Sequence, residues 1–215
     1  MNLPPEMKEE VADKLSVKDL LNLSSASKSL HQQFRKAAYD SLIKSNDINE
    51  TAKKMRSMDS SSPEFSSKFD ANMKNLSSQR PADQAQDLKN IIRHVPPSAP
   101  PDQAAQLWSE LLKHPIDQHG PNLMLRLNGL FQLPVDKSSG IVNGLLDQIE
   151  KQSKAGTLPE ITESSHYHPL EIAAMMVEHM PAEERQAAAH RIRAMAQSQK
   201  LPLKMVDDYL KESEL

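Results

Sequence analysis

The 215 residues carry 26 basic and 29 acidic side chains, a formal net charge of −3, and no Lys/Arg run exceeds two, so no field capable of holding a phosphate backbone exists. Cysteine is absent, which excludes a disulfide framework, a thiolate zinc site and a thiol nucleophile. No stretch approaches the roughly eighteen apolar residues of a bilayer span, and the opening MNLPPEMKEE lacks the basic and apolar regions of a signal peptide, so neither nucleic acid nor membrane is an expected partner. Aromatics make up 4% and mean hydropathy is −0.61, while Leu, Ala, Met, Gln, Lys and Glu abound, a composition that predicts helices. Sequons at Asn22, Asn49 and Asn75 are given no role without a secretory signal.

In chain order, three zones separate: 1–44, 45–80 and 81–215. In the first, Pro4 and Pro5 fix φ at a helix start, and Leu3, Met7, Val11 and Leu15 follow at steps of four, forming one stripe of a helix that ends near Leu15. Ser16-Val17-Lys18-Asp19 fits a capping box, with Leu15 and Leu20 placed as a hydrophobic staple, so a tight corner should join the first helix to the second. The second helix offers Leu20, Leu21 and Leu23 before a polar break at Ser24-Ser25. A third is predicted from Ala26, Leu30, Phe34, Ala38 and Leu42, again stepping by four. Three short helices in so few residues make no self-sufficient core; a partner or the rest of the chain should cover some of this apolar surface.

Residues 45–80 hold nine serines and few aliphatics, which reads as a polar Ser-rich linker with one weak helix around Phe65, Phe69 and Met73. Beyond it, Pro81-Ala-Asp-Gln, Pro101-Asp-Gln, Pro134-Val-Asp and Pro181-Ala-Glu-Glu each put proline in a first turn and a carboxylate near the positive end of the helix dipole. With intervening helices at 123–133 and 170–180 and a last one around Met205 to Leu210, about seven helices are predicted. Leu133-Pro134-Val-Asp136 and Met180-Pro181-Ala-Glu183 recur at an offset of 47 residues. That spacing suits either a HEAT-like repeat or simply two economical αα-hairpins. The expected fold is all-α: an N-terminal three-helix module, then a helical bundle or short HEAT-like α-solenoid.

The segment LPPEMKEEVADKLSVKDLLNLSSASKSLHQQF resembles the F-box. Leu3, Pro4 and Glu6 match its Leu-Pro-x-Glu opening; Val11 and Leu15 its spaced aliphatics; Asp19-Leu20 and Leu23 its second helix; Ser27-Lys28 its small-basic pair. Leu30 departs from the pattern, standing where the family often carries an aromatic. The resemblance implies binding to a Skp-family adaptor and, through a cullin scaffold, membership of an SCF-type ubiquitin ligase that receives an unidentified protein substrate. The docking face so implied comprises Leu3, Pro4, Glu6, Met7, Val11, Leu15, Asp19, Leu20 and Leu23, with residues 81–215 as substrate reader. The small, cysteine-free chain with a helical reader is also similar to bacterial effectors that mimic host F-box proteins, which implies action in the host cytoplasm or nucleus after secretion; plain cytoplasmic residence is the alternative. A helical scaffold or chaperone without any ubiquitin-ligase link would show the same periodicities.

Catalytic patterns are missing. There is no Gly-rich phosphate loop, no Gly-x-Ser-x-Gly elbow and no His-Glu-x-x-His helix, so no enzyme activity, cofactor or metal is expected. His166-Tyr167-His168 with His179 read as solvated loop histidines, Glu183-Glu184 and Asp207-Asp208 as solvated carboxylates, and Trp108 as core.

Overall fold

The computed structural model describes residues 4–26, 28–96, 98–130, 133–159 and 167–211, the side chains of 5, 6, 8, 28–33, 129 and 130 lying outside the description. Among the described residues the fold is all-α, with eleven α-helices, one 3₁₀ turn and no strand. The chain divides into two compact units, Met1–Pro96 and Pro97–Leu215.

The first unit holds α1 (Pro5–Lys14), α2 (Val17–Ala26), α3 (Lys28–Met55), α4 (Pro63–Ser77) and α5 (Pro81–His94). Ser24 and Ser25 do not break α2, because both hydroxyls donate back to the Leu21 carbonyl at 2.8 Å and stay within the helix. Helix α3 runs uninterrupted through the expected boundary at 44/45. Its inward face is Phe34, Ala38, Ser41, Ser45, Ile48, Ala52 and Met55, alternating steps of four and three. A strict step of four drifts off such a face, which is why Leu42 is 40% exposed and not part of the core.

The expected linker is folded. Phe65 and Phe69 on α4 are fully buried, Met73 and Leu76 join them, and buried Asn72 donates to Met55 Sδ at 3.4 Å. The serines that lowered the hydrophobic content of this stretch shape its turn: Ser61 donates its amide and hydroxyl to Asp59 Oδ1, and Ser62 caps α4 by accepting from the Phe65 amide at 3.1 Å. Ser62→Ala is expected to destabilise the protein by about 1 kcal/mol in urea melts, where a residue of an unstructured linker gives no change.

The boundary also moves from 80 to 96, since α5 packs on α3, α4 and α1. The second unit then holds α6 (Pro101–Leu111), α7 (Gly120–Leu130), α8 (Val135–Ala155), α9 (Pro169–Met176), a 3₁₀ turn (Val177–His179), α10 (Ala182–Ser198) and α11 (Lys204–Leu210). The proline-led starts at 81, 101, 134 and 181 all open helices. Packing is chiefly between helices one or two apart in the chain: α6 with α7 and α8, α9 with α7, α8, α10 and α11, and α10 with α8 and α11. Such packing between helices near in the chain is common to helical bundles and short α-solenoids. Helix α9 is apolar on nearly every side and buried except at Glu171 and Met175, which are half-buried, as its central place requires. Gly156 ends α8 at φ 66°, a left-handed cap that lets Thr157 donate to the Gln152 carbonyl at 2.9 Å. Asp207, expected as a solvated carboxylate, accepts from Arg193 Nε at 2.7 Å, and Val206 and Leu210 beside it on α11 are buried.

Candidate protein-binding site

The N-terminal module is built on Leu20, Ala12, Phe34 and Ala38, with Val11, Leu15, Val17, Leu23 and Ala37 packed around them. Leu15 therefore packs on the cluster that holds Leu20, at the α1–α2 corner where the staple was expected. Ser16 Oγ accepts from the Asp19 amide at 3.3 Å, while the Asp19 carboxylate takes the Ser16 hydroxyl itself at 2.6 Å. The cap stands as expected. Its return bond goes to the side chain of Ser16.

What holds this corner comes from far along the chain. Arg80, just before α5, donates through Nη1 to the carbonyls of Ala12 and Leu15, both at 2.9 Å, adding a second donor to the Ala12 carbonyl, which also accepts from the Leu15 amide at 3.4 Å. Its other nitrogen, Nη2, pairs with the Asp83 carboxylate, and both side chains are 12% exposed. Asp83 in turn accepts from the Val17 amide at the start of α2 at 3.3 Å and from Ser41 Oγ on α3 at 2.8 Å. One ion pair thus touches all three helices of the module. Behind it, buried Gln79 bridges Ser41, Ser45 and Asp87, and Ser45 donates to Asp87 at 2.8 Å. Burial pushes the Asp87 carboxyl above the usual range, against the hydrogen bonds from Gln79 and Ser45 that lower it.

The expected docking residues sort by exposure. Pro4 and Met7 lie open, Met7 at 50%. Val11, Leu15 and Leu23 are half-buried edges of the core, and exposed Asp19 is occupied with Ser16. Leu20 is corrected: at 0% exposure it is the centre of the module and offers nothing to a partner. Leu3 and the side chains of Glu6 and Leu30 lie outside the described residues. The docking face inferred from the sequence left out Leu21, 40% exposed, and the α3 stripe of Tyr39, Leu42 and Ile43, 46%, 40% and 57% exposed. Their i, i+3, i+4 spacing is visible in the sequence, but not that it faces water.

Elsewhere, Trp108 is fully buried core, as expected. His168 is a correction, being a buried cap and not a solvated loop residue. Its Nδ1 accepts from the Leu170 amide at 3.1 Å, and Glu171 closes the box by accepting from the His168 amide at 2.6 Å. Burial pushes its pKa down to about 4. His166 lies outside the described residues, and His179 Nε2 sits 3.5 Å from the Glu178 carboxylate. Among the described residues no three His, Asp or Glu side chains form a group that could hold a metal ion, and no helix is long and apolar enough to cross a membrane.

The N-terminal helices thus form a small unit with an apolar rim, fastened to α5 of the same unit. The family model described as the F-box domain matches residues 1–38, so the chain carries an F-box domain at its N-terminus. F-box domains generally bind Skp-family proteins within SCF complexes, and the match supports a Skp-binding adaptor role. No curated protein and no solved structure matches the chain.

Proposed function

We propose that the protein is a non-catalytic substrate adaptor: its F-box domain docks a Skp-family protein, a cullin scaffold joins through that protein, and the helices of 97–215 hold a protein substrate. The observation that carries this reading is the F-box match at 1–38 together with the exposed Pro4 and Met7. Rate enhancement would come from holding the substrate beside a charged ubiquitin carrier, an effective-concentration gain that asks for no catalytic side chain here. We further propose that it works as a secreted bacterial effector in the cytoplasm or nucleus of a eukaryotic host. Its small size, lack of cysteine and helical reader support that origin.

Capture by a purified Skp-family protein tests the core of the proposal. The unmodified chain is expected to be retained, and Met7→Asp to weaken retention by about tenfold, the scale of removing one apolar anchor from the centre of an interface. Because Met7 is half exposed, melting should stay within about 0.5 kcal/mol of the parent. Failure of the unmodified chain to bind would remove the adaptor reading.

A further inference from the structure

Large apolar side chains open to water are few, and they gather near the N-terminus. Among the described residues, Met7, Leu21, Tyr39, Leu42 and Ile43 are exposed, and beyond residue 43 Val135 alone joins them. Scattered singly such residues need no explanation, but three on one helix do, because the water-facing side of a helix is ordinarily polar. At i, i+3 and i+4, Tyr39, Leu42 and Ile43 are neighbours on the surface of α3. The inward side of the helix is already taken: Phe34 and Ala38 lie in the core of the N-terminal module, and Ser41 and Ser45 bond to Gln79, Asp83 and Asp87 in and just before α5.

The stripe continues the F-box domain directly. The match ends at residue 38 inside α3, so Tyr39 follows it with no change of element. Arg35 lies within the match and Tyr39 beyond it, and the two are stacked, the guanidinium carbon 5.5 Å from the ring centre. From Arg35 to Ile43 the helix rises about 12 Å, so a partner seated on the end of the domain has this face directly before it. Tyrosine and arginine are also the residue types enriched where protein interfaces concentrate their energy. Of the occupants open to such a face, a Skp-family protein is the one whose binding the F-box match already supports.

Resting on the adaptor reading, we infer that the docking surface for a Skp-family protein runs past the end of the F-box match along α3, with Arg35, Tyr39, Leu42 and Ile43 as one continuous face. The affinity of a purified Skp-family protein for the full chain is measured by biolayer interferometry for the parent and for Ile43→Gln, Tyr39→Ala and Val135→Gln. Ile43 and Val135 are equally exposed, at 57%, so the same kind of change is made once on the proposed face and once in the second unit. Ile43→Gln and Tyr39→Ala should each weaken binding about tenfold, chiefly through faster dissociation, and Val135→Gln should leave it unchanged. Glutamine and alanine both favour helix, so urea midpoints should match the parent's, and two independent variants on α3 keep the test standing if one of them loses stability. Parental affinity in both α3 variants, or equal weakening by Val135→Gln, overturns the proposal. Light scattering tests the other occupant: a dimer that Ile43→Gln dissociates while capture stays at parental strength assigns the face to a second copy of the chain and likewise overturns it. A parent chain that is not captured removes the adaptor reading and the extended face with it, whereas capture of the α3 variants at parental strength removes the face alone.

Discussion

Arg80→Ala is expected to destabilise the first unit by about 3–5 kcal/mol, the usual cost of removing one partner of a buried ion pair, and to abolish capture by a Skp-family protein although residue 80 lies 42 positions beyond the F-box match. The substitution removes the cation from the Asp83 carboxylate and the guanidinium's bonds to the carbonyls of Ala12 and Leu15, so the α1–α2 corner loses its support from α5. Lysine at this position should rescue little, because an ammonium cannot serve two carbonyls and a carboxylate as a planar guanidinium does. Urea melts of Arg80→Ala, Asp83→Ala and the double variant check the mechanism. The double variant should cost less than the two single losses together, since it leaves no charge unpaired. Strict additivity would show that the pair does not act as one clamp.

Acid should loosen the second unit through His168. Its folded pKa of about 4 lies below the ordinary 6.5, so the folded state prefers the neutral ring, whose Nδ1 accepts from Leu170 at the start of the central helix α9. The contribution is complete above pH 6.5 and is lost as pH falls toward 4, for a total of about 3 kcal/mol at up to roughly 1.4 kcal/mol per pH unit. Burial raises Glu171, which favours the folded state in acid and offsets part of this loss. His168→Asn provides a cap that does not titrate, so its stability should be flatter between pH 7 and 4 than the parent's. A parallel pH profile in the variant would rule His168 out as the cause. Asp87, with its raised pKa, pushes the first unit the other way and makes it relatively more stable as pH falls.

Much of this was legible in the sequence. Periodicity, proline-led starts and the Ser16 cap gave the helices and the all-α class, because those signals are local. The linker failed because hydrophobic density, low across 45–80, cannot register that Phe65, Phe69 and Met73 share one buried face of α4 while serines cap its ends. In the site, Leu20 looked like a docking residue because an exposed and a buried leucine have the same spacing, and only tertiary packing assigns Leu20 inward and Leu21 outward. The Arg80–Asp83 clamp left no sequence trace beyond an acidic helix start at Pro81, since its partners at 12, 15, 17 and 41 are reached through space.

Helix α3 carries one more consequence. At 28 residues it is about 42 Å long, and the F-box match ends at residue 38, partway along it. The recognisable motif is therefore not a portable cassette. Grafted onto another protein as residues 1–44, it would arrive with a severed helix, with Ser41 deprived of Gln79 and Asp83, and with no guanidinium to close its first corner. The piece to transplant is 1–96, and a chimaera that keeps this module intact would best be spliced at Pro96.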